Sequence, residues 1–217
     1  MAENKQEFYW VAVILTLFIS MIFFLHSAFP NLFQNYTLDS SKVNLQPWTL
    51  VAYMFFHGSY NHLFSNMFAL ALFGSILEKI VGYKKFLFVF FFTGIIAGIA
   101  STFFYASVIG ASGAIFGVMG VLTMLRPAMI VWAFGVPMNM IVAIILYAAL
   151  DLGGVFYPDS IAHIGHLSAL AIGLFIGIFW RGKYKVARKK EENKPILSEE
   201  ELAEWEDKYM KKKAVET

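Results

Sequence analysis

The sequence has 217 residues, of which 59% are hydrophobic and only 15% are charged, and its formal net charge is +2. Only nine charged side chains lie between Phe8 and Trp180, too few to cover the surface of a soluble domain. This composition excludes a soluble globular enzyme, a disordered chain and a nucleic-acid-binding protein, and it indicates a polytopic membrane protein in a lipid bilayer.

Six apolar segments are candidates for membrane-spanning helices, because a helix needs about 20 apolar residues to cross a bilayer. In chain order they are residues 9–28, 60–78, 84–106, 112–126, 128–150 and 161–180. The first is predicted to be a retained helix, since it lacks a small-residue cleavage site and follows an acidic start. The fourth is short, which predicts that its N-terminus lines a wet, protein-enclosed cavity below the membrane surface. The predicted fold is an all-α bundle of six transmembrane helices.

Basic residues in short loops predict the orientation of these helices. Six alternating spans place 16 of the 17 Lys and Arg residues on one side of the membrane, with only Lys42 opposite. Both termini are therefore predicted to be cytoplasmic, while residues 28–49 and 151–160 face outward. The longer of these outer segments contains Trp48 as a predicted interfacial anchor.

Three regions are predicted: a cytoplasmic N-terminus at 1–8, a six-span core at 9–180 and a charged cytoplasmic tail at 181–217. The tail begins with a basic stretch suited to anionic lipid. Ser198 and Glu201 then predict a capping box at the start of a short helix. Leu202, Trp205 and Tyr209 share one face of that helix. Either a solvated helix or a membrane-surface helix fits this pattern.

Polar and ionisable side chains inside a membrane are functional candidates, because lipid cannot satisfy their hydrogen bonds. Three sequence-distant segments place such groups toward the outer ends of their spans. These residues are His57, His62, Asn66, Ser112, His163 and His166. Their similar predicted depth points to one shared site.

Ser112 follows Gly110 and Ala111 and precedes Gly113 at the start of the fourth span. The flanking glycines leave its hydroxyl uncovered. The free amides and the dipole of a helix N-terminus also favour the negative charge of an oxyanion. The alternative interpretation is an N-cap serine on a tightly packed glycine-rich helix.

A serine nucleophile needs a base. The chain has no Cys and no intramembrane acid predicted near the sixth span, so the candidates are His163 and His166. His166 is followed by Ala169 and Gly173, a small-residue face that allows close approach to the glycines of the fourth span. His163 is followed by Leu170 at the matching offset. His166 is therefore the predicted base and His163 the alternative, and either could instead make only an interhelical hydrogen bond.

His62 and Asn66 are four residues apart and share one helix face. Two side-chain donors without a nearby carboxylate suit the stabilisation of an oxyanion. The chain has no His-Glu-x-x-His motif and no acidic third ligand predicted at this depth, which disfavours a zinc site. The sequence therefore predicts neither a metal nor another cofactor.

Taken together, these motifs resemble those of the rhomboid intramembrane serine proteases over residues 9–180. The resemblance rests on Gly110-x-Ser112-Gly113, on the His57, His62 and Asn66 spacing, and on Gly165-His166. It implies a Ser112–His166 dyad without a third acid that cuts single-span membrane proteins near the outer surface through an acyl-enzyme. It also implies an oxyanion hole of His62, Asn66 and the Ser112 amide, and lateral substrate access past a mobile fifth span.

Within the same resemblance, His57, Trp48 and Glu78 match structural positions. The sequence departs from the family at Phe116, where rhomboids often carry Tyr, and at Thr49, where they often carry Arg. Two other functions compete: a catalytically inactive client-binding relative, and a small transporter that uses His62 and His166 as a proton relay. The expected location is a prokaryotic cell membrane.

Overall fold

A computed structural model describes residues 8–32, 36–157, 159–192 and 198–209. The chain divides into two compact units, residues 1–182 and 183–217. The helices are α1 (Val11–Ala28), α2 (Thr49–Ala52), α3 (Tyr60–Ala69), α4 (Ser75–Val81), α5 (Tyr83–Thr102), α6 (Ser112–Leu125), α7 (Met140–Gly154), α8 (His163–Glu192) and α9 (Glu199–Tyr209). The strands are β1 (Leu38–Asp39), β2 (Ser107–Val108), β3 (Ile130–Ala133) and β4 (Val136–Asn139).

Four helical segments in the described part of the chain are long and apolar enough to cross a membrane. They are Val11–Ala28, Tyr60–Val81, Tyr83–Thr102 and His163–Tyr184. The second of these consists of α3, a π-helical turn at Leu70–Gly74, and α4. Helices α6 and α7 are apolar but shorter, at 14 and 15 residues. A polytopic helical architecture is confirmed, whereas the six-span topology and its orientation stay predictions.

The predicted helix over residues 128–150 is wrong in its first half. Helix α7 begins only at Met140, and the residues before it form the antiparallel β3–β4 hairpin. Pro137 lies in the middle of the predicted helix, where it would remove a hydrogen bond and clash with the preceding turn. The hairpin turn at Phe134 and Gly135 has positive φ at both residues, as a tight hairpin requires. The fold is therefore mainly, but not entirely, α-helical.

The segment before α2 is tied to the chain just before α6. Strand β1 pairs with β2 in antiparallel register, with Leu38 opposite Val108. Leu38 is fully buried, while Trp48 at the start of α2 is 54% exposed. This pairing holds the segment before α2 beside the turn that leads into Ser112.

Glu78 is buried in α4 and holds the N-terminus of α1. Its carboxylate accepts hydrogen bonds from the backbone N–H groups of Tyr9, Val11 and Ala12 at 3.2, 3.1 and 2.9 Å. Val11 and Ala12 are the first two residues of α1, so their amides have no partner within that helix, and their partial positive charge suits a carboxylate. The contacts fit the structural role that the sequence resemblance implies for Glu78.

Helices α6 and α8 pack so closely that their backbones are in contact where they cross. A Cβ atom added to Gly120 would lie 2.7 Å from the Leu170 carbonyl oxygen, and one added to Gly173 would lie 2.9 Å from the Gly117 carbonyl carbon. Only glycine leaves room for this approach. The close packing predicted from the small residues of both helices is confirmed, and it brings their N-terminal ends together.

Helix α8 does not end with the predicted span at Trp180 but continues to Glu192, because its basic extension is rich in good helix formers. The capping box that begins α9 is confirmed. Ser198 N–H donates to Glu201 Oε2 at 2.9 Å, and Glu201 N–H donates to Ser198 Oγ at 3.1 Å. Leu202 and Trp205 are exposed.

Candidate active site

Ser112 is the first residue of α6, and its hydroxyl faces α8. The Oγ atom lies 2.7 Å from His166 Nε2. The N-cap of α6 is Ala111. The N-cap interpretation of Ser112 is therefore wrong, because its side chain bonds to an imidazole on another helix.

His166 lies in the first turn of α8 and is 8% exposed. The ring of Phe116, one turn after Ser112 on α6, stacks on the imidazole with centroids 4.4 Å apart and an interplanar angle of 9°. Stacking restricts the plane of the imidazole without any hydrogen bond. No hydrogen bond joins His163 to Ser112 within the described residues, so of the two histidines the structure brings His166 to the serine.

Asp151 contradicts the expectation that no intramembrane acid lies near the sixth span. It lies in the last turn of α7 and is 5% exposed. Its Oδ1 atom is 3.0 Å from His166 Nδ1 and 2.6 Å from His163 Nδ1. The acid was missed because the predicted helix ended one residue before it. Spacing offered a signal, since Asp151 follows Ile144 by seven residues and therefore shares its buried face.

The second nitrogen of His163 contacts an acid at the protein surface. His163 Nε2 lies 3.0 Å from Asp159 Oδ2 and 3.2 Å from Asp159 Oδ1. Hydrogen bonds from the Ile161 N–H and the His163 ring hold the pKa of the exposed Asp159 carboxyl below its ordinary value. Asp159 is therefore ionised at neutral pH, and a chain of polar contacts runs from Ser112 to the protein surface.

His62 and Asn66 lie on the α3 face next to the turn before Ser112. A Cβ atom on Gly110 would come within 2.6 Å of the His62 ring, and Gly110 has a φ of +117° that side chains rarely adopt. Asn66 donates to the His62 carbonyl oxygen at 2.8 Å with one of its two amide hydrogens. The His62 ring therefore packs against the turn before Ser112, and Asn66 lines the same groove as Ser112.

His57 stands behind this pair. Its ring centroid is 4.9 Å from that of His62, and its Nε2 atom accepts a hydrogen bond from the Ala111 N–H at 3.5 Å. The ring thereby supports the turn that presents Ser112. This contact fits the structural role implied for His57.

Ser112 borders two cavities of different size and polarity. One, of about 20 Å³, lies against Gly110, His166 and α5, and its volume admits one water molecule. The other, of about 200 Å³, is a mostly apolar groove between α3, α6 and α7. Its lining is Ser65, Asn66, Ala69, Phe73, Ser112, Ile115, Phe116, Met119 and Tyr147. The serine hydroxyl thus has a water-sized space on one side and an apolar groove on the other.

The Rhomboid domain family model matches residues 44–183, which is more than half of the chain. The chain belongs to the rhomboid family. The matched region contains every residue of the site described above, whereas α1 lies outside it. Membership makes this chain an integral membrane protein of a family associated with intramembrane proteolysis.

Similar rhomboid proteins occur in a plant and in a bacterium. RHOMBOID-like protein 4 of Arabidopsis thaliana is 33% identical over 147 residues, 64% of this chain and 36% of that protein. Rhomboid protease GluP of Bacillus subtilis is 35% identical over 133 residues, 59% of this chain and 25% of that protein. Putative rhomboid protease YdcA of the same bacterium is 38% identical over 78 residues, 34% of this chain and 39% of that protein. The chain thus matches less than half the length of each relative.

Three residues of this rhomboid site offer metal-binding atoms close together. Ligand atoms of Asp151, His163 and His166 lie within 4.8 Å of one another. One carboxylate and two imidazoles are a donor set that zinc accepts. The premise behind the metal-free expectation, that no acid lies at this depth, is therefore wrong. The same atoms are joined by hydrogen bonds, and absence of a metal stays a prediction.

Proposed function

We propose that this chain is an intramembrane serine endopeptidase in which Ser112 is the nucleophile and His166 the general base. The carrying observation is the 2.7 Å contact between Ser112 Oγ and His166 Nε2 at the start of an apolar helix. Nucleophile and base must lie within such hydrogen-bond reach. Family membership supports the reaction class, and the substrates proposed are single-span membrane proteins cut near the outer face.

In the first half of the reaction, His166 Nε2 accepts the Ser112 proton as Oγ attacks the carbonyl carbon of the substrate peptide. The resulting oxyanion is stabilised by the Ser112 N–H, the His62 ring and the free amide hydrogen of Asn66. His166 then gives its proton to the leaving amine. The C–N bond breaks and an ester joins the substrate acyl group to Ser112.

In the second half, water attacks the ester. The small cavity beside Ser112 and His166 has room for that water molecule. His166 takes a proton from the water, a second oxyanion forms in the same place, and the proton returns to Ser112 Oγ as the acid leaves. The site then regains its starting protonation state.

The apolar groove is the proposed route for the substrate. It reaches Ser112 from between α3 and α7, and α7 buries few of its own residues. An unwound segment of a membrane-spanning substrate can leave the lipid sideways through this gap. We propose that α7, the fifth of the six apolar helices, moves to admit it, with both chain termini on the cytoplasmic side.

The proposed activity is tested with purified protein in liposomes that also hold a fluorescent single-span substrate. We expect cleavage near the outer face, with product termini identified by mass spectrometry, and covalent labelling of Ser112 by a fluorophosphonate. Ser112→Ala is the control and should show neither result. An intact substrate together with an unlabelled Ser112 would contradict the proposal. Substrate bound equally well by both proteins would then favour the client-binding alternative.

A further inference from the structure

We propose that Asp151 is the positioning residue that fixes the tautomer and orientation of His166, and that His163 and Asp159 hold Asp151 in place. This inference rests on the proposed function. It replaces the dyad implied by the sequence with a Ser112–His166–Asp151 arrangement.

The tautomer follows from the hydrogen bonds. An ionised carboxylate only accepts hydrogen bonds. The 3.0 Å contact with Asp151 Oδ1 therefore places the proton of neutral His166 on Nδ1. Nε2 is then left without a proton and accepts the Ser112 hydroxyl. With the proton on the other nitrogen, the imidazole would donate to Ser112 and could not act as its base.

Orientation of the imidazole needs Asp151 as well. Phe116 has no hydroxyl, so its stacking restricts the ring plane but leaves rotation within that plane free. The Asp151 contact at Nδ1 and the Ser112 contact at Nε2 fix that rotation from opposite sides. The carboxylate also faces the positive charge that develops on His166 as it takes the proton.

His163 links Asp151 to the surface. Its Nδ1 atom contacts Asp151 Oδ1 at 2.6 Å and its Nε2 atom contacts Asp159 at 3.0 Å. Because both partners are carboxylates, both nitrogens donate, and His163 is an imidazolium between two negative groups. One cation therefore compensates the buried Asp151, while Asp159 keeps that cation in place.

The position of Asp151 argues for more than a tie between helices. Burying a carboxylate carries a large desolvation free energy. Apolar contacts can link two helices without that penalty. Within the described residues its Oδ2 atom has no hydrogen-bond partner. An incompletely satisfied acid inside a membrane protein is a strong sign of function.

The experiment compares Asp151→Asn, Asp151→Glu, His163→Gln and Asp159→Asn in the liposome assay, with Asp39→Asn as a matched outer-loop control. Asp151→Asn should lower kcat by about 10²- to 10⁴-fold, because the amide removes the charge and permits the wrong tautomer. The KM should stay within about threefold and the thermal unfolding midpoint near wild type, since a positioning residue acts on the reaction step. Asp151→Glu should recover part of the lost kcat.

The supporting residues should show graded effects. His163→Gln should lower kcat by about 10-fold, the usual scale for a residue that orients a neighbouring ligand or base. Asp159→Asn should lower it by no more than about threefold, because Asp159 is exposed. Asp39→Asn should leave it unchanged.

Several results would overturn the inference while leaving the protease itself intact. If Asp151→Asn keeps the wild-type kcat, Asp151 is only a structural contact. The same conclusion follows if both Asp151 variants lose kcat in proportion to their loss of stability. Inactivation of wild type by EDTA with recovery on adding Zn²⁺ would replace positioning with metal binding. A wild-type protein that neither cuts nor labels would overturn both this inference and the proposed function.

Discussion

Replacing either Ser112 or His166 with alanine should lower kcat by about 10⁵- to 10⁶-fold, and replacing both should cost no more than either alone. Neither residue contributes to nucleophilic attack without the other. The Ser112 hydroxyl needs the His166 imidazole to remove its proton, and the imidazole has no other nucleophile to activate. Any residual cleavage should come from the oxyanion donors and from substrate binding alone. Single-turnover cleavage in liposomes measures all three variants on one substrate.

His163→Ala is the informative comparison for this result. It should stay far more active than His166→Ala, since His163 lies behind Asp151 and not on Ser112. A His163→Ala protein as inactive as Ser112→Ala, beside an active His166→Ala protein, would move the base by one helical turn. Losses that multiply in the Ser112→Ala/His166→Ala double variant would mean that the two residues act independently.

Gly173→Leu should both destabilise the protein and inactivate it. The new side chain would meet the backbone of Gly117, which cannot rotate away, so α8 must move outward from α6. Overpacking of this kind costs about 3 kcal/mol or more at a backbone contact. A shift of about 1 Å between the helices that carry His166 and Ser112 should cost a further 10²-fold in cleavage.

Gly182→Leu is the matched control for that variant, because it places the same side chain on the same helix at a position with no neighbour within 4 Å among the described residues. Its thermal unfolding midpoint and its cleavage rate should equal those of wild type. Equal behaviour of the Gly173 and Gly182 variants would show that the α6–α8 crossing tolerates separation. Gly173→Ala should fall between the two.

The helices and the serine–histidine pair were accessible from sequence because each rests on a local pattern. Apolar runs of sufficient length predicted the helices, and small residues after His166 predicted its approach to the glycines of α6. The β3–β4 hairpin was missed because hydropathy outweighed Pro137, whose backbone constraint forbids a continuous helix there. The same misplaced helix hid Asp151. The predicted span ended at residue 150, whereas α7 continues to Gly154 and carries Asp151 in its last turn.

The short pairing of β1 with β2 could not be predicted from the sequence either. Two-residue strands carry no periodic signal, and the paired residues Leu38 and Val108 are 70 positions apart in the sequence. The His163–Asp159 contact lies within one turn of sequence and was readable in principle. Its role is not visible from sequence, because the other partner of His163 is Asp151, which lies on a different helix.

The three groups of the proposed catalytic arrangement are carried by three different helices. Ser112 and His166 lie on α6 and α8, which are locked together by glycines, whereas Asp151 lies on α7, the proposed moving helix. An outward swing of α7 would therefore open the groove and withdraw the carboxylate from His166 in one movement. While α7 is open, His166 would lack its contact with Asp151 and the site would be inactive. Cleavage would begin only after α7 closes again on the bound substrate. Because the chain has no Cys, paired spin labels on α7 and α8 could measure that swing without background, and a fixed distance during turnover would exclude it.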